Sequence, residues 1–272
     1  MTHRRFAGAL HQMVVSVGCV CLLALGGCAA PMSGSGSTAD PITESDESPQ
    51  RKRARIRMEL AVGYFEQGRT PIALDEIKQA LANDPTYAPA YNLRGLVYLR
   101  LQEPRQAEDS FRRALALDPR DGDTLHNFGW MLCEQSRFDE ADQAFGQALA
   151  SPAYPARART HLAQGVCQAR AGRLVQAERS LTRSYELDVT NPVTSYNLAQ
   201  LLFRQGELTR AQFYIRQLNN GDKANAESLW LGIRVEQRIG DRVAMRQLGD
   251  QLKKRYPQSR ELSAYDKGIF DE

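Results

Sequence analysis

Histidine is scarce in this chain: four among 272 residues, with His3 and His11 close to the amino terminus. The other two are badly placed for chemistry. His126 and Cys133 stand seven residues apart on one expected helix, which separates them by about 10 Å along its axis, too far to share a metal ion. His161 and Cys167 are six apart and, at about 100° per residue, point in different directions. Phosphate-cradling glycine loops, nucleophile elbows and histidine pairs at metal-ligand spacing are missing too. These absences argue against an enzyme, a cofactor or a small-molecule substrate. Charge of one sign is also lacking: the formal net charge is +3, so there is no electrostatic case for nucleic acid. Long apolar runs are absent as well. Val14 to Leu25 falls short of the about 20 residues that a comfortable membrane span needs.

What the chain does have is a period. In Ala88 to Pro119, Tyr91, Gly95 and Tyr98 share one helix face. Gln102-Glu103-Pro104 interrupts that helix, Ala107, Phe111 and Ala114 repeat the spacing, and Asp118-Pro119 ends the unit because proline cannot continue a helix. Units of this kind start at Ala54, Ala88, Gly122, Ala158, Pro192 and Asn225, with spacings of 34, 34, 36, 34 and 33. A small residue recurs in the first helix (Ala61, Gly95, Gly129, Gly165, Ala199, Gly232). Another opens the second helix (Ala73, Ala107, Ala141, Ala177, Ala211, Ala244). Small residues let two helices touch, and large neighbours fill the space beside them. A single hairpin cannot bury its apolar face, but stacked hairpins can. Between units three and four, Ser151-Pro152-Ala153-Tyr154-Pro155 replaces the regular ending, which predicts an irregular joint.

This alternation resembles the tetratricopeptide repeat. The resemblance implies an all-α, right-handed superhelical solenoid of about six helix–turn–helix repeats over residues 51–257, followed by a cap or frayed tail over 258–272. In that family the first helix of each unit lines a concave groove, at its second, fifth, ninth and twelfth positions. Here those places hold Met58, Val62 and Phe65, then Asn92, Leu96 and Leu99, then His126, Trp130 and Cys133. Leu162 and Val166 follow, then Tyr196, Gln200 and Phe203. Large apolar residues here suit an apolar peptide or helix, with Phe65 and Trp130 as aromatic anchors. Cys133 and Cys167 are expected to pack as buried thiols; a disulfide in an oxidising compartment is the alternative.

Residues 1–27 stand apart from the array. His3-Arg4-Arg5 and the run from Val14 to Leu25 read as a secretory signal. Leu25-Gly26-Gly27-Cys28 resembles the lipobox of bacterial lipoproteins. That resemblance implies cleavage before Cys28, acylation of its thiol and new amino terminus, and firm anchoring by several acyl chains. Ala29 in place of aspartate points to the outer membrane, on its periplasmic face. Losing Arg4 and Arg5 with the signal leaves a net charge of about +1. Residues 28–50 are rich in Ser, Gly, Thr and acidic side chains and read as a lipidated flexible tether, with a reach on the order of 25 Å. Ser48-Pro49 then reads as a helix cap, and the basic run 51–57 as a solvated face, with anionic lipid headgroups as the alternative.

Several stretches resemble one branch of the repeat family, the type IV pilus biogenesis and stability lipoproteins PilF and PilW. They are Asn127-Phe128-Gly129-Trp130, Tyr154-Pro155-Ala156-Arg157, Asn225 to Arg234, and Leu252 to Pro257. The resemblance implies a pilotin-like partner of type IV pilus secretin subunits that promotes their multimerisation. A general scaffold for another cell-envelope complex is the alternative.

Overall fold

Ser48 opens the first helix as the sequence leads one to expect: its Oγ accepts the Arg51 N–H at 3.1 Å, and Pro49 takes the first helical position. The structure is a computed structural model that describes residues 46–270. Cys28, the signal and most of the tether lie outside the described residues.

Thirteen helices follow in the described chain. Twelve pair into six hairpins: α1 (Pro49–Glu66) with α2 (Thr70–Asn83), α3 (Ala88–Arg100) with α4 (Pro104–Leu117), and α5 (Gly122–Glu134) with α6 (Phe138–Leu149). After them come α7 (Arg157–Arg170) with α8 (Leu174–Leu187), α9 (Pro192–Gln205) with α10 (Leu208–Asn219), and α11 (Ala226–Ile239) with α12 (Arg242–Arg255). The short α13 (Arg260–Asp266) caps the stack on α11 and α12. First helices touch one another in series, α1 to α3 and onward to α11, which makes the array a superhelical solenoid of tetratricopeptide-type units.

The small residues do what their spacing implies. A Cβ on Gly95 would meet the Phe111 ring at 2.5 Å, one on Gly129 the Phe145 ring at 2.9 Å, and one on Gly165 the Leu181 side chain at 2.7 Å. Phe111 and Phe145 are wholly buried by this approach, worth roughly 1.5–3 kcal/mol each in apolar burial. Ala73, Ala107, Ala141, Ala177 and Ala211 are fully buried. Ala244 departs from them and is half-exposed. It sits near the start of α12, in the last hairpin of the described residues, where the seven-residue α13 takes the place of a full unit. That short helix instead lays Tyr265 over Gly249, 2.3 Å from where a Cβ would stand.

Two further features shape the units. The turn between the helices of each unit needs a left-handed residue, and Gly68, Gly172, Gly206 and Gly240 supply it in four units (φ 74°, 75°, 81° and 91°). Units two and three place Gln102 (φ 61°) and Ser136 (φ 62°) at the same point, where a side chain is strained. The basic run 51–57 is also less free than a solvated face: Arg51 pairs with Asp84 at 2.5 Å, Arg55 with Glu47 at 3.3 Å and Arg57 with Glu76 at 2.9 Å.

The joint after α6 is irregular as expected. Tyr154 turns inward against Gly122, where a Cβ would stand 2.6 Å from its ring, and its hydroxyl donates to Asp123 at 3.2 Å. Arg157 closes the end of α6 by donating to the carbonyls of Leu149 (2.8 Å) and Ser151 (2.9 Å).

Candidate protein-binding groove

Among the described residues no helix is long and apolar enough to cross a membrane, and no group of three or more His, Cys, Asp or Glu side chains could hold a metal ion. The candidate site is the row of side chains along the first helices.

Of the residues expected to line it, Met58, Val62 and Phe65 rest against the core around Ala61 and keep part of their surface exposed. Leu96, Leu99 and Trp130 do the same against the core around Phe111 and Phe145, and Leu162, Val166, Tyr196 and Phe203 against the core around Leu198 and Leu202. Asn92 and Gln200 are half-buried too. Asn127 donates to the Asn92 side-chain oxygen at 3.0 Å, linking units two and three along the row.

His126 does not belong with them. It is 8 % exposed, its Nδ1 lies 2.9 Å from Thr160 Oγ1, and its ring meets Phe145 edge-on. Burial, reinforced by the nearby Arg159 cation, holds its pKa down at about 4. It is an interior neutral imidazole rather than a groove residue. Cys133 is also turned inward: its sulfur is joined to that of Cys167 in a disulfide. The expectation of two packed thiols is corrected accordingly. The first helices α5 and α7 bring the cysteines together although the chain separates them by a whole unit.

What sequence spacing missed is the charge laid over the aromatics. The Arg100 guanidinium lies 3.7 Å from the Phe65 ring centroid, and its Nη1 donates to the Phe65 carbonyl at 2.5 Å. Arg170 lies 5.2 Å from Trp130 and pairs with Glu134 at 2.6 Å. Arg234 and Arg238 lie 5.1 and 5.5 Å from Phe203. In each case the cation comes from the following first helix and stands over an aromatic of the one before. Cation–π contacts of this sort contribute roughly 0.5–2 kcal/mol. A basic residue in the last helical turn also suits the helix dipole. The groove is thus apolar below and cationic at its rim.

Two hollows open along this row. One, of about 300 Å³, is lined by Val166, Arg170, Asn197, Gln200 and Arg204. The other, of about 400 Å³, is lined by Tyr196, Gln200, Glu227, Trp230, Arg234 and Arg260. Burial raises the pKa of the Tyr196 phenol further above its ordinary alkaline value, and the second hollow offers that hydroxyl as donor or acceptor. Trp230 and Arg234 carry the row into the sixth unit, one residue out of step with the earlier ones.

Profiles of the tetratricopeptide repeat match residues 88–121, 110–143, 128–192 and 192–212. The type IV pilus assembly protein PilF of Pseudomonas aeruginosa PAO1 is 32% identical over 230 residues, covering 82% of this chain and 91% of PilF. The chain belongs to the PilF/PilW family. Solved structures of the family agree. That of Pseudomonas aeruginosa PilF superposes with a TM-score of 0.73 at 31% identity, covering 81% of this chain and all of PilF. That of PilW, described as a widely conserved type IV pilus biogenesis factor, gives 0.72 at 30% identity, covering 78% of this chain and 97% of PilW. The relation supports a protein-interaction role of the tetratricopeptide type for this chain.

Proposed function

We propose that this protein is a non-catalytic scaffold of type IV pilus biogenesis, held by acyl chains on Cys28 to the periplasmic face of the outer membrane. Its groove captures an apolar segment of the pilus secretin. The observation that carries this reading is the row of half-exposed apolar and aromatic side chains on successive first helices, from Phe65 through Trp130 to Phe203. Relatives named as a pilus assembly protein and a pilus biogenesis factor support it. The lipid places the scaffold, the tether gives it reach, and holding subunits beside the membrane raises their effective concentration for ring closure.

The test has two arms in one strain background. Cys28→Ser should release the protein from the outer membrane and lower the amount of secretin multimer. Phe65→Ala with Trp130→Ala should leave localisation intact, lower the multimer and abolish co-purification of secretin after crosslinking. Unchanged multimers in both arms would refute the assignment.

A further inference from the structure

The groove's α9–α11 end has a charge problem. Phe203 has Arg234 and Arg238 over its ring at 5.1 and 5.5 Å, and Arg204 follows it on α9. Of the other cations over the row's aromatics, Arg170 is answered by Glu134 and Arg100 by the Phe65 carbonyl, one cation to each ring. Among the described residues Arg204, Arg234 and Arg238 form no ion pair. The carboxylates that border the neighbouring 400 Å³ cleft, Glu227 and Glu261, are already held by Arg260 at 3.6 and 2.8 Å. Gathering like charges on one ring is unfavourable unless an anion completes the set.

The chain's own tail displays how this end holds a peptide. The Phe270 ring stacks on Trp230 with centroids 5.6 Å apart and an interplanar angle of 23°, while its carbonyl accepts from Arg234 Nε at 3.0 Å. Aromatic stacking and main-chain capture therefore already occur beside the cleft, where Tyr196 and Gln200 add a phenol and a carboxamide.

We infer that this end of the groove recognises an extended acidic peptide segment bearing an aromatic residue. The aromatic side chain enters the cleft beside Trp230 and Tyr196, and flanking Asp or Glu carboxylates are taken by Arg234 and Arg238. Guanidinium–carboxylate pairing is the strong, directional form of hydrogen bond. The inference deepens the groove reading and rests on it.

The full chain in detergent is titrated into a fluorescein-labelled peptide, Gly-Ser-Asp-Asp-Phe-Asp-Asp-Ser-Gly, and anisotropy is followed. Binding is expected to weaken as salt rises. Replacing every Asp of the peptide by Asn, or substituting Arg234→Gln or Arg238→Gln in the protein, should each lower affinity about tenfold or more. Replacing the peptide's Phe by Ala should do likewise. Absent binding, equal affinity for the Asp and Asn peptides, or anionic phosphatidylglycerol vesicles that bind the same arginines without competition from peptide would overturn it. Arg234 also holds the tail, so a melting curve accompanies that variant. If it unfolds, Arg238→Gln and the salt dependence decide. Secretin capture lost in the Phe65 and Trp130 variant but normal in the Arg234→Gln/Arg238→Gln variant, with the Asp peptide no tighter than the Asn one, sinks this inference and spares the groove. Capture retained in both sinks both.

Discussion

Cys133 on α5 and Cys167 on α7 are joined sulfur to sulfur, with Cα atoms 5.8 Å apart and a separation of 34 positions in the sequence. The bond ties units three and four across the irregular Tyr154 joint. Closing a loop of this length removes loop entropy from the unfolded chain, worth about 3–4 kcal/mol in the chain-entropy account. The variant Cys133→Ser/Cys167→Ser is expected to lose stability of that order in a denaturant titration. Reductant should lower the midpoint of the native protein and leave that of the variant unchanged.

Glu236 is fully buried and held by Arg216 at 2.7 Å and by Gln212 at 2.8 Å, which fixes α11 to α10. Arg216→Met should strand a buried carboxylate and cost about 3–5 kcal/mol. Adding Glu236→Leu to it should restore much of the loss, because the buried carboxylate is gone while Gln212, its other partner, is half-buried and can turn to water. Thermal melts of the two single variants and the double variant form the cycle that checks this.

His126 sets a pH dependence. Its folded pKa of about 4 lies below the ordinary 6.5 because burial penalises the imidazolium. Between those values the unfolded chain takes up a proton that the folded chain refuses, so stability is full above pH 6.5 and falls as pH drops toward 4. The group accounts for up to about 3 kcal/mol across that window. His161, whose pKa is also lowered chiefly by burial, acts in the same sense. Melting temperature should fall between pH 7 and pH 5, and His126→Gln should flatten that slope.

Backbone conformation separates two classes of glycine substitution. Gln102→Gly and Ser136→Gly relieve a strained left-handed residue and should each stabilise by about 1 kcal/mol. Gly95→Ala drives a methyl group to within 2.5 Å of the Phe111 ring and should destabilise by about 1–3 kcal/mol. Urea titration at constant m-value distinguishes the outcomes.

The regular parts of the site were legible because they depend on short-range spacing. Phe65, Leu99, Trp130 and Phe203 could be placed on one row by counting within each first helix. Counting failed at His126, because Thr160 of α7 and Phe145 of α6 close over that imidazole. It fell silent at Trp230 and Arg234, because the row slips by one residue in the sixth unit. The rim arginines could not be read at all, since each crosses from one unit to the next and no local period encodes the angle between units.

The sequence by itself determined six helical hairpins with their small-residue contacts, their capped start at Ser48 and the lipobox signature at Cys28. Each of those rests on residues within a single unit of the chain or less. Tertiary structure alone decided that Cys133 reaches Cys167, that Glu236 is buried against Arg216, and that guanidiniums cover the groove's aromatics. Those contacts join residues some 20 to 40 positions apart, and they exist only once neighbouring units have settled at a definite rotation to one another.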